Sequence, residues 1–178
     1  MPLFLFSFRP ILPLFSVLWD RPYLWLSTMT QANVDELFQI PMFENMERSD
    51  LTVIAGHITV RKLEPGEVLF AEGEPGEFMC FILEGSVDVL QENAAGKAVV
   101  INQVSRGRSL GEMSLIDGTA RSATVKSRGD AVVLILTREG FSRLIEVRPK
   151  VGVALLMEVS RLICQHLKKQ SSRVADLL

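Results

Sequence analysis

Along residues 34–40 the apolar positions Val34, Leu37, Phe38 and Ile40 gather on one side of a helical turn, and Pro41 ends the run. Ser49 and Asp50 then predict a helix start for a second stripe, Leu51, Ile54 and Ile58. From there the period shortens. Turn signals recur at close intervals: Glu64-Pro65-Gly66-Glu67, the same four residue types at 74–77, then Glu84-Gly85, 93–96, Arg106-Gly107 and Arg128-Gly129-Asp130. Between them lie strand-like runs at 68–70, 78–83, 87–90, 99–104, 123–125 and 131–136. The central runs are apolar throughout, a pattern buried helices share, but their length favours strands.

After Thr137 the period lengthens again. Phe141, Leu144 and Ile145 fit a short helix that ends before Pro149. Leu156, Val159, Ile163 and Leu167 recur at three- and four-residue spacing in a long helix over about 149–172, and Val174 and Leu177 continue the stripe. The whole pattern predicts a mostly β fold with flanking α-helices: a jelly-roll-like β roll with short helices over 29–148, plus a long C-terminal helix within 149–178. That helix either packs on its own roll as a lid or pairs with a second copy of the chain to form a homodimer.

Residues 1–28 are a different material. They hold both tryptophans, Trp19 and Trp25, the one tyrosine, Tyr23, and four prolines at 2, 10, 13 and 22. Apolar runs such as 14–19 are short, broken by Arg9, Asp20, Arg21 and the prolines, whereas a membrane-spanning helix needs about 20 apolar residues in a row. Neither a basic start nor a small-residue cleavage site marks a signal peptide. The segment reads as an apolar, Pro-rich extension outside the folded domain, with Met29 a candidate start. The alternative is a membrane-associating tail.

Composition narrows the function. The 178 residues are 48% hydrophobic and 22% charged, which suits one packed domain with an appendage. Nineteen basic against 21 acidic side chains leave a net charge of −2, so no global positive field draws nucleic acid or anionic membrane. Two cysteines, Cys80 and Cys164, build no disulfide framework and suit a reducing, cytoplasmic setting. The two histidines, His57 and His166, are far apart in sequence and no Cys-x-x-Cys occurs, which argues against a zinc or cupin-type centre; no metal is expected.

The chemistry concentrates in residues 107–125. Gly111 permits a tight backbone turn, Glu112 to Ile116 suit one turn of helix, and Asp117-Gly118 supply the exit turn. The amide groups that open such a helix favour an anion, and Arg121 adds a planar fork suited to phosphate. Glu112 would repel a phosphate beside it, unless the ligand also offers a hydroxyl for the carboxylate to accept. Each residue has an ordinary structural reading as well: Glu112 compensating the helix dipole, Arg121 paired at the surface with Asp117 or Glu112. The ordered set points instead to a ligand with one phosphate charge and a free sugar hydroxyl.

Gly111-Glu112-x-x-Leu115 followed by Arg121-Ser122-Ala123 resembles the phosphate-binding cassette of cyclic nucleotide-binding domains. Pro65-Gly66-Glu67 and Leu83-Glu84-Gly85-Ser86-Val87 are similar to that family's glycine-marked strands. The resemblance covers about 37–167 and is closest to the regulatory domain of the catabolite activator (Crp/Fnr) class. It implies a ligand-binding set of Gly111, Glu112, Met113, Ser114, Arg121, Ser122 and Ala123. Within it, Arg121 would take the cyclic phosphate, Glu112 the ribose 2′-hydroxyl, and Ser122 would add a hydroxyl near phosphate or base. Ala120 stands where many relatives carry proline. Gln170, Ser171 and Ser172 resemble base-contacting residues in placement, or else form a solvated helix end.

In the Crp/Fnr class a helix-turn-helix domain follows the long helix. Here the sequence ends at Leu178, and Arg161, Lys168, Lys169 and Arg173 are a modest cluster, so direct nucleic-acid binding by this chain alone is not expected. Ser114 and Ser122 have no histidine nearby in sequence, and no catalytic residue is assigned. The implied function is a non-enzymatic sensor of a cyclic nucleotide, cAMP ahead of cGMP by analogy with the activator. It would signal through its C-terminal helix to an unidentified downstream protein. The alternatives are a transcription regulator that lacks or borrows its DNA-binding part, and a degenerate β roll that mediates protein contacts.

Overall fold

A computed structural model of the chain describes residues 29–175, with side chains as far as Lys168. The expectations for residues 1–28 lie outside the described residues. The chain runs β1 (Thr30–Gln31), α1 (Val34–Leu37), a 3-10 turn (Pro41–Phe43), α2 (Arg48–Ala55), β2 (Ile58–Leu63), β3 (Val68–Phe70), β4 (Phe78–Glu84), β5 (Ser86–Glu92), β6 (Ala98–Ser105) and β7 (Ser109–Leu110). It continues through α3 (Glu112–Asp117), β8 (Thr124–Ser127), β9 (Ala131–Thr137), α4 (Arg138–Val147) and α5 (Pro149–Ala175). Among the described residues no helix is long and apolar enough to cross a membrane.

The strands form two antiparallel sheets, ordered β1-β2-β9-β4-β7 and β3-β8-β5-β6. The first is the middle layer of the molecule. From β4, Met79, Phe81 and Leu83 point into a core shared with α1, α2, α4 and α5, while Phe78, Cys80 and Ile82 point into a second core against the other sheet. β9 does the same, with Leu134 and Leu136 on the helical side and Val133 and Ile135 between the sheets. Because successive side chains alternate faces and both faces are covered, these two strands read as unbroken apolar runs. The outer sheet keeps one face toward water, so β5 buries Val87 and Val89 and leaves Asp88 and Leu90 partly exposed. The fold class read from the pattern is the one observed.

The stripe Leu51, Ile54, Ile58 is corrected. α2 stops at Ala55, Gly56 caps it, and Ile58 opens β2. All three side chains do enter the same helical-side core, so the spacing reports a shared core rather than one element. The β-branched run Ile58-Thr59-Val60 favours a strand. Arg61 and Lys62 disguised that strand in the sequence. Arg61 is buried and its guanidinium holds Glu67 at 2.6 Å. The two-residue strands β1 and β7 carry no readable period.

At the helical end, the Asn33 side chain accepts from the amide of Glu36 and the Glu36 carboxylate accepts from the amide of Asn33, a reciprocal cap for α1. Thr137 caps α4. Val151, Leu155 and Val159 of α5 are fully buried on the helical-side core, with Leu156 and Ile163 packed against it. The N-terminal half of α5 therefore packs on its own roll. Leu167, expected in the same stripe, is instead exposed, as are Val153 and Met157.

α4 and α5 cross at Gly152, where a Cβ would lie 2.9 Å from the Ile145 backbone and 2.6 Å from its Cγ1. Helix propensity alone favours Gly→Ala by about 1 kcal/mol, whereas overpacking costs about 1–3 kcal/mol. Gly152→Ala should thus lower the urea midpoint with an unchanged m-value; a rise in midpoint would show that the two helices move apart freely.

Candidate cyclic nucleotide site

The cassette hangs between β7 and β8. Gly111 and Gly118 flank α3 with φ of 75° and 72°, the left-handed region open to glycine, so the six-residue helix begins and ends abruptly. Asp117 closes the exit turn by accepting from both the amide and the hydroxyl of Thr119, which pulls its carboxyl below the ordinary range.

Arg121 is buried, 3% exposed. Its guanidinium carbon lies 4.0 Å from the Phe70 ring centre and 4.5 Å from that of Phe78. Nη2 donates to the Phe78 carbonyl at 2.7 Å and Nη1 to the Gly111 carbonyl at 3.4 Å. Burial draws its pKa below the ordinary arginine value, while Glu74 and Glu77 oppose that shift. The group stays charged, as arginine does in proteins. A Cβ on residue 111 would meet Nη1 at 2.4 Å, so glycine at this position makes room for the guanidinium.

Glu112 is 5% exposed, and its Oε1 lies 2.7 Å from Nδ1 of His166 on α5. Two shielded atoms of this site have no hydrogen-bond partner among the described residues: Glu112 Oε2, an acceptor, and Arg121 Nε, a donor. Arg121 bonds the carbonyl of the residue just before Glu112, so the two charged groups share one locality. Neither surface pairing expected as the ordinary reading occurs: Arg121 bonds carbonyls, and Glu112 bonds a histidine.

The rest of the predicted set is distributed around this pair. Ser114 is buried against Gly76, where a Cβ would come within 2.0 Å of the Ser114 Cβ. Ala123 joins the core between the sheets. Ser122 is exposed, and its carbonyl accepts from Gln91. The Met113 side chain is 57% exposed. The side chains of Gln170, Ser171 and Ser172 lie outside the described residues.

A family model described as the cyclic nucleotide-binding domain matches residues 60–148. The chain belongs to the cyclic nucleotide-binding domain family. A cAMP-dependent protein kinase regulatory subunit from Mycosarcoma maydis is 31% identical over 114 residues, covering 61% of this chain and 22% of that protein. The cAMP-activated global transcriptional regulator CRP of Salmonella typhimurium is 30% identical over 122 residues, covering 68% of this chain and 56% of the regulator. A cyclic nucleotide-binding domain from Methylobacillus flagellatus superposes with a TM-score of 0.72 at 23% identity, covering 82% of each chain. The chain thus spans between about a fifth and just over half of the curated relatives it matches.

Within this cyclic nucleotide-binding domain, sequence reading missed four contributors. Phe70 and Phe78 looked like ordinary core residues. Arg138 donates from Nη2 to the carbonyls of Gly76 and Ser114, clamping α3 to the 74–77 turn. His166 looked like a lone helical histidine. A signal did exist for the turn: the Glu-Pro-Gly-Glu repeat. Its first copy places Glu67 on Arg61, and its second brings the Glu74 carbonyl to the amide of Arg121 at 2.8 Å. A cavity of about 800 Å3 adjoins the site, lined in part by Pro41, Phe81, Arg108, Arg161 and His166.

Burial pushes the Cys80 thiol from 9.0 up to about 12; Arg121 pulls it down and Glu112 pushes it up, so both cassette charges bear on this one sulfur. The unfolded thiol ionises near its ordinary value while the folded one stays protonated. This contribution to stability is full below pH 9.0 and is lost as pH rises toward about 12, on the order of 4 kcal/mol. Urea unfolding at stepped alkaline pH should show that decline, and Cys80→Ala should flatten it.

Proposed function

We propose that this chain is a sensor module that binds a cyclic nucleotide, cAMP ahead of cGMP, and reports it through α5. The observation that carries the reading is the pair of unsatisfied buried atoms, Glu112 Oε2 and Arg121 Nε. A buried polar atom left without a partner costs about 1–3 kcal/mol. A ligand that donates one hydroxyl and accepts through one phosphate relieves both. Sugar and cyclic phosphate on a single molecule meet this demand, with Arg121 on the phosphate, Glu112 on the 2′-hydroxyl and exposed Ser122 beside them. Gly111 provides the space, and Met113, Ser114 and Ala123 complete the surrounding cassette.

Arg121 is committed to two main-chain carbonyls in this structure. A phosphate on Nε draws the guanidinium toward the ligand, which strains its bonds to the Phe78 and Gly111 carbonyls and shifts the cassette. Ligand moves α5 to the extent that it binds one arrangement more tightly than another. The cAMP preference rests on similarity to the cAMP-dependent protein kinase regulatory subunit and the cAMP-activated transcriptional regulator. The chain acts in the cytoplasm on a downstream protein, without turning over its ligand and without touching nucleic acid itself.

The exposed face of α5 suits a second copy of the chain. Val153, Met157, Ser160, Cys164 and Leu167 follow one another at alternating four- and three-residue steps, the spacing of a two-helix seam, and all are exposed. Mild oxidation should produce a disulfide-linked dimer that Cys164→Ser abolishes; a monomer by light scattering with no cross-link would overturn the pairing.

Calorimetric titration tests the sensor reading directly. The wild type should bind cAMP with micromolar affinity, about 8 kcal/mol, and cGMP more weakly. Arg121→Ala should lose about 2–5 kcal/mol of that, at least roughly thirtyfold. Heat-free titrations with both nucleotides would leave only a protein-contact role for the roll.

A further inference from the structure

We propose that His166 is a positioning residue that fixes the Glu112 carboxylate for hydroxyl recognition and so ties sugar reading to α5. This rests on the reading that Glu112 accepts the ligand's hydroxyl. His166 is the sole hydrogen-bond partner of the Glu112 side chain among the described residues, across 54 positions of sequence. An ionised carboxylate only accepts, so Nδ1 of His166 carries the proton and donates to Oε1. With Oε1 engaged, Oε2 is the remaining acceptor, and it is the shielded atom without a partner.

The terminal torsion of a glutamate is broad and nearly two-fold, so an unheld carboxylate presents either oxygen over a range of angles. One donor on Oε1 removes that freedom before the ligand arrives. The ordering cost of the hydroxyl contact then falls on folding rather than on binding. Of the two partners, Glu112 belongs to the cassette, whereas His166 belongs to α5 and its side chain is 40% exposed. A ligand hydroxyl on Oε2 and the imidazole on Oε1 therefore pull on one carboxylate from two elements. His166 lies a helical turn before Gln170 on α5.

The test is a chemical double-mutant cycle on the full chain, titrating the wild type, His166→Ala and His166→Asn with cAMP and 2′-deoxy-cAMP. The asparagine amide keeps a donor near the position of Nδ1. Wild type should prefer cAMP by roughly tenfold, the worth of one hydrogen bond to a charged group. In His166→Ala the preference should fall to within about threefold, through weaker cAMP binding with 2′-deoxy-cAMP little changed, and His166→Asn should retain most of it. An unchanged ratio in His166→Ala, or equal weakening of both ligands, would reduce His166 to packing and overturn the inference. Failure of the wild type to bind either ligand, or equal binding of both, would instead overturn the reading of Glu112 itself. Circular dichroism should show all three proteins folded at the titration temperature, with His166→Ala melting lowest because it leaves both oxygens of the buried Glu112 carboxylate without a partner.

Discussion

A guanidinium almost sealed from water, lodged against two phenyl rings set edge to face, sets the conditions for everything around it. Burying a charge is costly unless hydrogen bonds and polarisable faces replace its hydration. Arg121 receives both: the carbonyls of Phe78 and Gly111, and the rings of Phe70 and Phe78. That requirement explains several local choices at once. Residue 111 has no room for a side chain, β4 must lie next to the start of α3, and the second Glu-Pro-Gly-Glu turn must deliver its carbonyl to the Arg121 amide. The arginine is thereby held in place, with its Nε still without a partner.

β4 carries this local arrangement to the rest of the molecule. Cys80 lies in the core between the sheets, where the charges of Arg121 and Glu112 are felt, and the next residue, Phe81, faces the helices, 5.2 Å from the Phe43 ring. A strand buried on both faces leaves little slack, because protein interiors are close-packed. The cassette meets α5 as well through Glu112 and His166. The helix thus has two routes to the site, one through the packed middle sheet and one through a single hydrogen bond.

The two ends of α5 serve different ends of this arrangement. Its first turns, at Val151, Leu155 and Val159, are embedded in the core that α4, α2 and the middle sheet share. Its later turns project His166 to the cassette and leave an apolar seam facing water. α5 is thus anchored in the core at one end and joined to the cassette through the Glu112 carboxylate at the other.

Local chemistry was legible in the sequence. Turn residues, strand-length apolar runs and the order Gly111, Glu112, Arg121 announced a β roll interrupted by a short helix, because such signals depend on neighbours a few residues away. β2 was not legible: its charged residues hide a partner, Glu67, that only a folded turn brings to Arg61. Likewise Ile58 obeyed a helical spacing while belonging to a strand, since helix and strand delivered their side chains to one core.

What the sequence by itself determined is the list of groups able to hold an anion and a hydroxyl, and the strands and turns that bracket them. Which of those groups meet was decided by tertiary structure alone. Phe70, Phe78, Arg138 and His166 reach the cassette from four separate segments, and no spacing along the chain encodes that convergence. Its physical cause is closure of the sheets and the seating of α5 on their covered face, which depends on the summed packing of the two cores.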